Sequence, residues 1–182
     1  SPEDIYGDYD VLAKDLVTGA VTLVSCDDAG RNSANGDSQN ASVSADGRYV
    51  AFISSSNLYL VAGDTNACFD VFVKDLNTGN VVRASTDSMG GQANGNSFAP
   101  VLSADGRSVI FMSDASNLVT GDTNGKRDVF IKDLVTGVTT RISASEAGVQ
   151  GNNISSDTSI SADGKFAAFS SYAWNLASPD GN

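Results

Sequence analysis

The chain has 182 residues and a formal net charge of −11, from 11 Lys and Arg against 22 Asp and Glu, and it contains no histidine. The lack of histidine excludes a Ser-His-Asp triad, a Cys-His pair and a His-ligated zinc site within the chain. The acidic balance argues against unaided nucleic-acid binding. We therefore expect no nucleic-acid binding. No apolar run reaches the roughly 18 residues that a membrane span requires, so we also expect no membrane insertion.

Two phrases recur three times along the chain. Residues 10–19, 70–79 and 128–137 share the pattern Asp-Val-x-x-Lys-Asp-Leu-x-Thr-Gly, at offsets of 60 and 58 residues. A phrase that begins Ser-Ala-Asp-Gly and continues into an apolar run starts at Ser44, Ser103 and Ser161, at offsets of 59 and 58 residues. Self-similarity at such a period indicates a repeat architecture.

Each repeat is predicted to form four short strands, which we name A to D. In the first complete repeat, strand A ends at Ser44, strand B covers 49–54, strand C lies near 71–74 and strand D ends at Ser85. The Asp-Gly turn between strands A and B is a hairpin signal, because glycine accepts a positive φ. Strand B is apolar on both faces, which is typical of a strand between two packed layers. Strand B of the later repeats is predicted at 108–113 and 166–171.

Four-stranded units that pack through both faces are typical of β-propeller blades. We therefore predict an all-β fold of four-stranded antiparallel blades, with about three blade equivalents in this chain. The phase of the repeat divides one partial propeller domain into four parts. These are a half blade with strands C and D at 1–26, complete blades at 27–86 and 87–144, and a half blade with strands A and B at 145–182.

The two phrases together resemble the TolB-type, WD-like β-propeller repeat over essentially the whole chain. The resemblance implies that strands A to D run from the central axis outwards, in rings that usually have six or seven blades. It leaves function open, because this repeat serves in scaffolds, in lectin-like binders and in non-catalytic domains of hydrolases. Propellers normally need at least about four blades. Either the 182 residues are a piece of a longer propeller, or a homodimer completes a six-bladed ring.

The long loops between strands B and C carry Asp and Asn at regular spacing, a pattern that resembles the calcium loops of integrin-type propellers. Ca²⁺ binds hard oxygen ligands, and we expect a modest affinity because each loop supplies few charged ligands. The alternative is that these side chains cap turns without any metal. The predicted metal ligands are Asp4, Asp8, Asp10, Asp64, Asn66, Asp70, Asp122, Asn124, Asp128, Asp180 and Asn182.

Strand alternation places the tight A–B and C–D turns on one face and the long B–C and D–A loops on the other. Amide-rich D–A loops are candidates for binding a protein or a glycan, and the alternative is that they are solvated turns. The candidate binding residues are Asn35, Asp37, Asn94, Asn96, Asn152 and Asn153. Cys26 and Cys68 lie in long loops of adjacent blades. They are candidates for a disulfide that would suit a secreted protein, with two free thiols as the alternative.

A residue that recurs in every blade is better explained by the fold than by catalysis. The repeated Lys-Asp pairs are therefore expected to be structural, with the Asp capping the C–D turn and the Lys–Asp contact contributing little. Arg31, Glu146 and Trp174 break the repeat but form no recognisable catalytic set, and Trp174 is expected to pack under a B–C loop.

The sequence thus favours a non-catalytic, calcium-binding interaction or scaffold module. Its partner would be a protein or a glycan on the long-loop face, in an extracellular, cell-surface or periplasmic location. One alternative is a propeller segment of a larger hydrolase or lyase whose catalytic residues lie elsewhere. A second alternative is a lectin-like glycan-binding propeller.

Overall fold

A computed structural model describes residues 7–30 and 34–177. Within these ranges the chain forms twelve β-strands and no helix. The strands are β1 (Leu12–Lys14), β2 (Val21–Leu23), β3 (Ser38–Val43), β4 (Tyr49–Ser54), β5 (Asp70–Asp75), β6 (Val81–Arg83), β7 (Ser97–Leu102), β8 (Ser108–Ser113), β9 (Asp128–Asp133), β10 (Thr139–Arg141), β11 (Ser155–Ile160) and β12 (Ala167–Ser171).

The strands pair only with their chain neighbours, in antiparallel sheets. Two sheets have four strands, β3-β4-β5-β6 and β7-β8-β9-β10, and two have two strands, β1-β2 and β11-β12. This is the predicted all-β arrangement of four-stranded antiparallel blades, and it is confirmed. β4 and β8 begin and end at the residues predicted for strand B, whereas β12 begins at Ala167, one residue later than predicted.

The core lies between successive sheets. Val50 and Phe52 of β4 pack with Val11 and Val24, which flank strands β1 and β2 of the preceding two-stranded sheet. Ala51 and Ile53, on the opposite face of β4, pack instead against the following four-stranded sheet. The strand is therefore buried on both faces, as its continuous apolar run predicted.

The Asp residues of the short turns bind backbone amides. Asp15 Oδ1 accepts hydrogen bonds from the backbone N–H groups of Val17 and Thr18, and Asp133 binds its own C–D turn in the same way. Asp75 also receives two hydrogen bonds from the Arg48 guanidinium, at 3.1 and 2.7 Å. The predicted turn-capping role of this repeated Asp is confirmed.

The repeated lysine does not pair with the adjacent Asp at the surface. Lys74 is buried, and its Nζ donates to the carbonyl oxygens of Cys26 and Asp27, both at 2.9 Å. Lys132 is also buried and donates to the Asp87 carbonyl oxygen at 2.8 Å, and burial lowers its pKa. Each lysine thus ties strand C of one blade to the end of strand D of the blade before it. The expectation of a weak surface Lys–Asp contact was wrong.

Candidate functional site

The two carboxylates of the first complete B–C loop converge on an arginine from strand β6. Arg83 Nη2 lies 3.2 Å from Asp64 Oδ2, and Arg83 Nε lies 3.6 Å from Asp70 Oδ2. The exposed fractions of the three side chains are 9% for Arg83, 3% for Asp64 and 0% for Asp70. Asn66 Nδ2 donates to Asp70 Oδ2 at 2.8 Å and to the Ala93 carbonyl oxygen at 2.9 Å.

The next blade repeats this arrangement. Arg141 Nη1 lies 3.5 Å from Asp122 Oδ1 and 3.9 Å from Asp128 Oδ2, and Asn124 Nδ2 donates to Asp128 Oδ2 at 3.0 Å. We call these two sets the arginine clusters: Arg83 with Asp64 and Asp70, and Arg141 with Asp122 and Asp128. Because they recur at equivalent positions, they belong to the architecture of the repeat.

A glutamine links each cluster to the following D–A loop. Arg83 Nη1 donates to Gln92 Oε1 at 2.7 Å, and Gln92 Nε2 donates to Thr65 Oγ1 at 2.6 Å. Arg141 and Gln150 make the equivalent hydrogen bond at 2.8 Å. The long B–C and D–A loops therefore meet, as the strand alternation predicted, and a polar network holds them together.

Burial dominates the electrostatics of the clusters. Removal from water raises the pKa of Asp64, Asp70 and Asp122 above the usual aspartate value, in opposition to the nearby arginine. Asp64 Oδ2 and Asp122 Oδ2 are buried and accept no hydrogen bond. The charge of each arginine lies close to the carboxylate and opposes this effect of burial.

The predicted calcium ligands of the two complete B–C loops are paired with arginine in this structure. Within 7–30 and 34–177, no group of three or more Asp, Glu or Cys side chains is placed to hold a metal. In both complete loops a guanidinium already neutralises the two carboxylates. Calcium takes about six to eight oxygen ligands, so an ion would have to displace the arginine.

The loop of the first repeat differs at the arginine position. Leu23 stands where the later repeats have Arg83 and Arg141. Asp10 Oδ1 accepts a hydrogen bond from Ser25 Oγ at 2.6 Å, and Asp8 is half-buried. The other predicted ligands of the terminal loops, Asp4, Asp180 and Asn182, lie outside the described residues, as does Arg31.

The D–A loop amides bind their own scaffold. Asn35 Oδ1 accepts from Ser56 Oγ and from the Leu58 backbone N–H, and Asn94 Oδ1 accepts from the Ser116 backbone N–H. The remaining candidates also accept backbone hydrogen bonds through Oδ1: Asp37 from Tyr9, Asn96 from Phe69, Asn152 from Trp174 and Asn153 from Ile154. Much of their capacity for binding a ligand is therefore used within the protein.

Both cysteines are free thiols in the structure. Cys26 is buried, and its sulfur lies 3.2 Å from Lys74 Nζ. Cys68 is half-buried, and its sulfur contacts the Asn66 carbonyl oxygen at 3.4 Å. The candidate disulfide is therefore not formed in this structure.

Side chains that break the repeat are exposed in the long loops, and the sequence analysis missed most of them. Leu58 and Tyr59 form a two-residue insertion relative to the next repeat, since Asp64 lies seven positions after Asn57 but Asp122 lies only five positions after Asn117. The exposed fractions are 52% for Leu58 and 41% for Tyr59, which has a φ of +69°. The interruption of the repeat is the sequence signal that locates these two residues.

Two further exposed side chains lie in the long loops. Met89 is 96% exposed, and Trp174 is 63% exposed instead of packing under its loop as expected. Grooves occur where the start of a D–A loop meets the B–C loop of the next blade. Tyr59 lines one of about 380 Å³ and Met89 lines one of about 500 Å³. Exposed apolar side chains beside a groove are typical of protein contact surfaces.

Solved structures resemble this arrangement of blades. TolB from Acinetobacter baumannii aligns with a TM-score of 0.51 and 22% sequence identity, over 88% of this chain and 31% of that one. A putative TolB from Agrobacterium tumefaciens aligns with a TM-score of 0.51 and 16% identity, over 94% of this chain and 53% of that one. The chain has a TolB-like β-propeller fold. It spans between about a third and about half of the length of these two proteins.

No protein-family model and no curated protein matches the chain by sequence. At 22% and 16% sequence identity, these two alignments show the fold and carry no information on function or partner. Among the residues that the structure describes, no helix is long and apolar enough to cross a membrane.

Proposed function

We propose that the chain is a non-catalytic interaction module that binds a protein partner through its long loops. The observation that carries this proposal is the exposed insertion Leu58-Tyr59 beside an inter-blade groove. Aromatic and Met side chains are enriched in protein–protein interfaces, and a few such residues supply most of the binding free energy. A protein partner is favoured over a glycan because the loop amides that would bind sugar hydroxyls already bind the scaffold.

Partner capture with paired variants tests this function. Leu58 and Tyr59 are both changed to Ser, and the variant is compared with the wild type in pull-downs from extracts of the source organism. Val17 and Val135 lie in short C–D turns and are 95% and 63% exposed, so Val17→Ser with Val135→Ser is the matched control. We expect the loop variant alone to lose the captured protein. Equal capture by both variants would count against the long loops as the binding surface.

Binding to a glycan array distinguishes the lectin-like alternative from protein binding. Binding to a defined sugar by the wild type, retained in the Leu58 and Tyr59 variant, would replace the protein-binding proposal with the glycan-binding one. Loss of that binding in chelator would additionally implicate calcium.

Calcium binding is a separate proposal, supported by the oxygen-rich loops and opposed by the arginines within them. We expect millimolar Ca²⁺ to raise the melting temperature of the wild type only slightly relative to EDTA, because Arg83 and Arg141 hold the carboxylates. In Arg83→Met the freed Asp64 and Asp70 should make the shift larger. Identical melting curves in Ca²⁺ and EDTA for both proteins would rule out calcium binding in this loop.

The non-catalytic assignment is supported by the recurrence of the buried carboxylates in successive blades, each with its own arginine. The alternative, a segment of a larger hydrolase or lyase, would be favoured by additional non-repeat sequence in the parent protein. We also propose an extracellular, cell-surface or periplasmic location. The TolB-like fold is consistent with the periplasmic option, and cell fractionation with an epitope-tagged chain tests it.

A further inference from the structure

The two half blades leave complementary strands exposed. β12 is strand B of its repeat and lies mostly exposed, whereas its equivalents β4 and β8 are buried. β1 is strand C of its repeat and is mostly exposed, whereas its equivalent β5 is buried throughout. In both complete blades, strand B pairs directly with strand C. Within residues 7–30 and 34–177, each half blade therefore lacks the strands that the other one has.

The complete blades define the register in which the halves match. Phe52 lies opposite Phe72, and Phe111 lies opposite Phe130, and all four side chains are fully buried. The repeat places Phe169 and Leu12 at the equivalent positions, and Leu12 is 61% exposed. The same register puts Ala168 opposite Ala13, as Ala51 lies opposite Val73.

A lysine points to the same assembly. Lys74 and Lys132 donate to carbonyl oxygens at the end of strand D of the preceding blade. Their equivalent, Lys14, is exposed, and no blade precedes β1 within the part of the chain that the structure describes. The repeat-equivalent acceptors for Lys14 are the carbonyl oxygens of Ala144 and Ser145, which lie next to the other half blade.

We propose that two copies of this chain associate through reciprocal pairing of β12 of one copy with β1 of the other. Each copy supplies two complete blades and two halves, so the pair builds four complete and two composite blades, a ring of six. A twofold ring uses both open edges of each copy and leaves none exposed. Lys14 of each copy then binds the carbonyl oxygens of Ala144 and Ser145 of the second copy. This inference goes beyond the proposed function and does not depend on it.

The mass in solution is the first test. Sedimentation equilibrium of the 182-residue chain should report twice the 18.7 kDa chain mass. Leu12→Lys leaves a side chain that is exposed in a single copy but places a charge inside the composite blade, so it should yield a folded monomer of 18.7 kDa. Val17→Lys is the matched control, because Val17 is 95% exposed in a turn outside the predicted pairing, and it should stay dimeric. A monomeric wild type, or a series of larger oligomers, overturns the proposal.

Cross-linking tests the register. With Cys68 changed to Ser, Ala13→Cys with Ala168→Cys should form a disulfide-linked dimer on oxidation. Leu12→Cys with Ala168→Cys should not, because a slip of one residue moves a side chain to the other face of the strand. Equal linkage in both variants overturns the register. A disulfide formed within one chain overturns the dimer.

Circular dichroism checks that each variant is folded. If Leu12→Lys does not fold, the cross-linking pair still decides the proposal, because Ala13 and Ala168 are changed only to the small residue Cys. Loss of partner capture in the Leu58 and Tyr59 variant, with the dimer intact, would concern the proposed function alone.

Discussion

Arg83 lies on strand β6, and its guanidinium reaches the carboxylates of the B–C loop that were predicted to bind a metal ion. Its guanidinium faces two buried carboxylates, and Asp64 Oδ2 accepts no hydrogen bond. A buried ion pair adds little net stability compared with apolar residues of the same shape, but removal of one partner leaves a charge without compensation. The recurrence of this cluster in two blades makes the arginine a condition for keeping two aspartates inside each loop.

Arg83→Met should lower the free energy of unfolding by about 3 kcal/mol, because Asp64 and Asp70 lose their counter-charge in a buried site. Urea unfolding at neutral pH measures the change. Arg127→Met is the matched control, since Arg127 pairs with Asp114 at 2.9 Å but the two side chains are 35% and 41% exposed. The control should lose about 1 kcal/mol or less. Similar losses in the two variants would show that the cluster is not held by buried charge.

Acid stability contains a contribution from Asp75. Hydrogen bonds from Arg48 lower the pKa of Asp75 to about 2, below the 3.8 expected in the unfolded chain. The stabilisation is therefore present above pH 3.8 and is lost as the pH falls from there to about 2. Asp75→Asn should show a smaller loss of stability over this interval than the wild type, measured by urea unfolding at successive pH values. Parallel losses in the two proteins would refute the assignment.

The arginine clusters affect the acid dependence of stability in the opposite direction from Asp75. Burial raises the pKa of Asp64, Asp70 and Asp122, so the folded state binds protons more readily than the unfolded chain at these sites. Their contribution to stability rises as the pH falls through their folded-state pKa values towards 3.8. The acid profile of the wild type therefore contains contributions of both signs.

At the scale of turns and strands, identical sequences meet different neighbours. Gly79 and Gly137 both end an Asp-Leu-x-Thr-Gly turn, with φ values of +82° and +75°. A Cβ on Gly79 would clash with the Asp28 carbonyl oxygen, in the D–A loop that follows the first half blade, whereas a Cβ on Gly137 would meet nothing within 4 Å. The two turns therefore share their backbone requirement and differ in the contact between blades.

Gly137→Ala should cost about 1 kcal/mol, because alanine is disfavoured at positive φ. Gly79→Ala should cost about 1–3 kcal/mol more, since a backbone carbonyl must move away from the new methyl group. Thermal or urea unfolding of the two variants measures the difference. Equal destabilisation would show that the blades separate at this turn without cost.

The repeat predicted the strands because three copies constrain each other's boundaries. β4 and β8 match residue for residue, and β5 extends the predicted strand C by one residue at each end. Arg83 and Arg141 are also part of the repeat, at the end of strand D. Their charge alone did not predict that they pair with Asp64 and Asp122, respectively. Partners separated by about 19 residues depend on how the loop folds over the strand, which the spacing of Asp and Asn cannot define.

The exposed insertion Leu58-Tyr59 shows a second feature that the repeat pattern did not predict. Leu58 and Leu118 both follow a repeated Asn, yet Leu118 is 1% exposed and Leu58 is 52% exposed. The insertion shifts the core position to Leu60, which is 3% exposed. Alignment of the loops by their Asn would have placed Leu58 in the core, whereas alignment by the following Asp finds the two extra residues.

For the whole molecule, cohesion comes from contacts between successive blades. Two apolar clusters and the buried lysines Lys74 and Lys132 join the first three sheets in succession. In repeat proteins, stability is approximately the sum of the stabilities of the units and of the interfaces between nearest neighbours. A half blade has fewer neighbours than a complete one, so β1-β2 and β11-β12 are the weakest units of an isolated copy. A second copy that completes both halves would add two interfaces at once.

The melting temperature of the wild type should therefore rise with protein concentration, because folding is coupled to association when the dimer is the stable form. Leu12→Lys should remove this dependence and melt at one temperature at all concentrations, since it leaves only single copies. Val17→Lys should keep the dependence, because its side chain lies in a turn that is exposed in complete blades as well. Differential scanning calorimetry over a wide concentration range makes the comparison. A concentration-independent melting temperature for the wild type, together with a dimeric mass, would show that each half blade is stable without its complement.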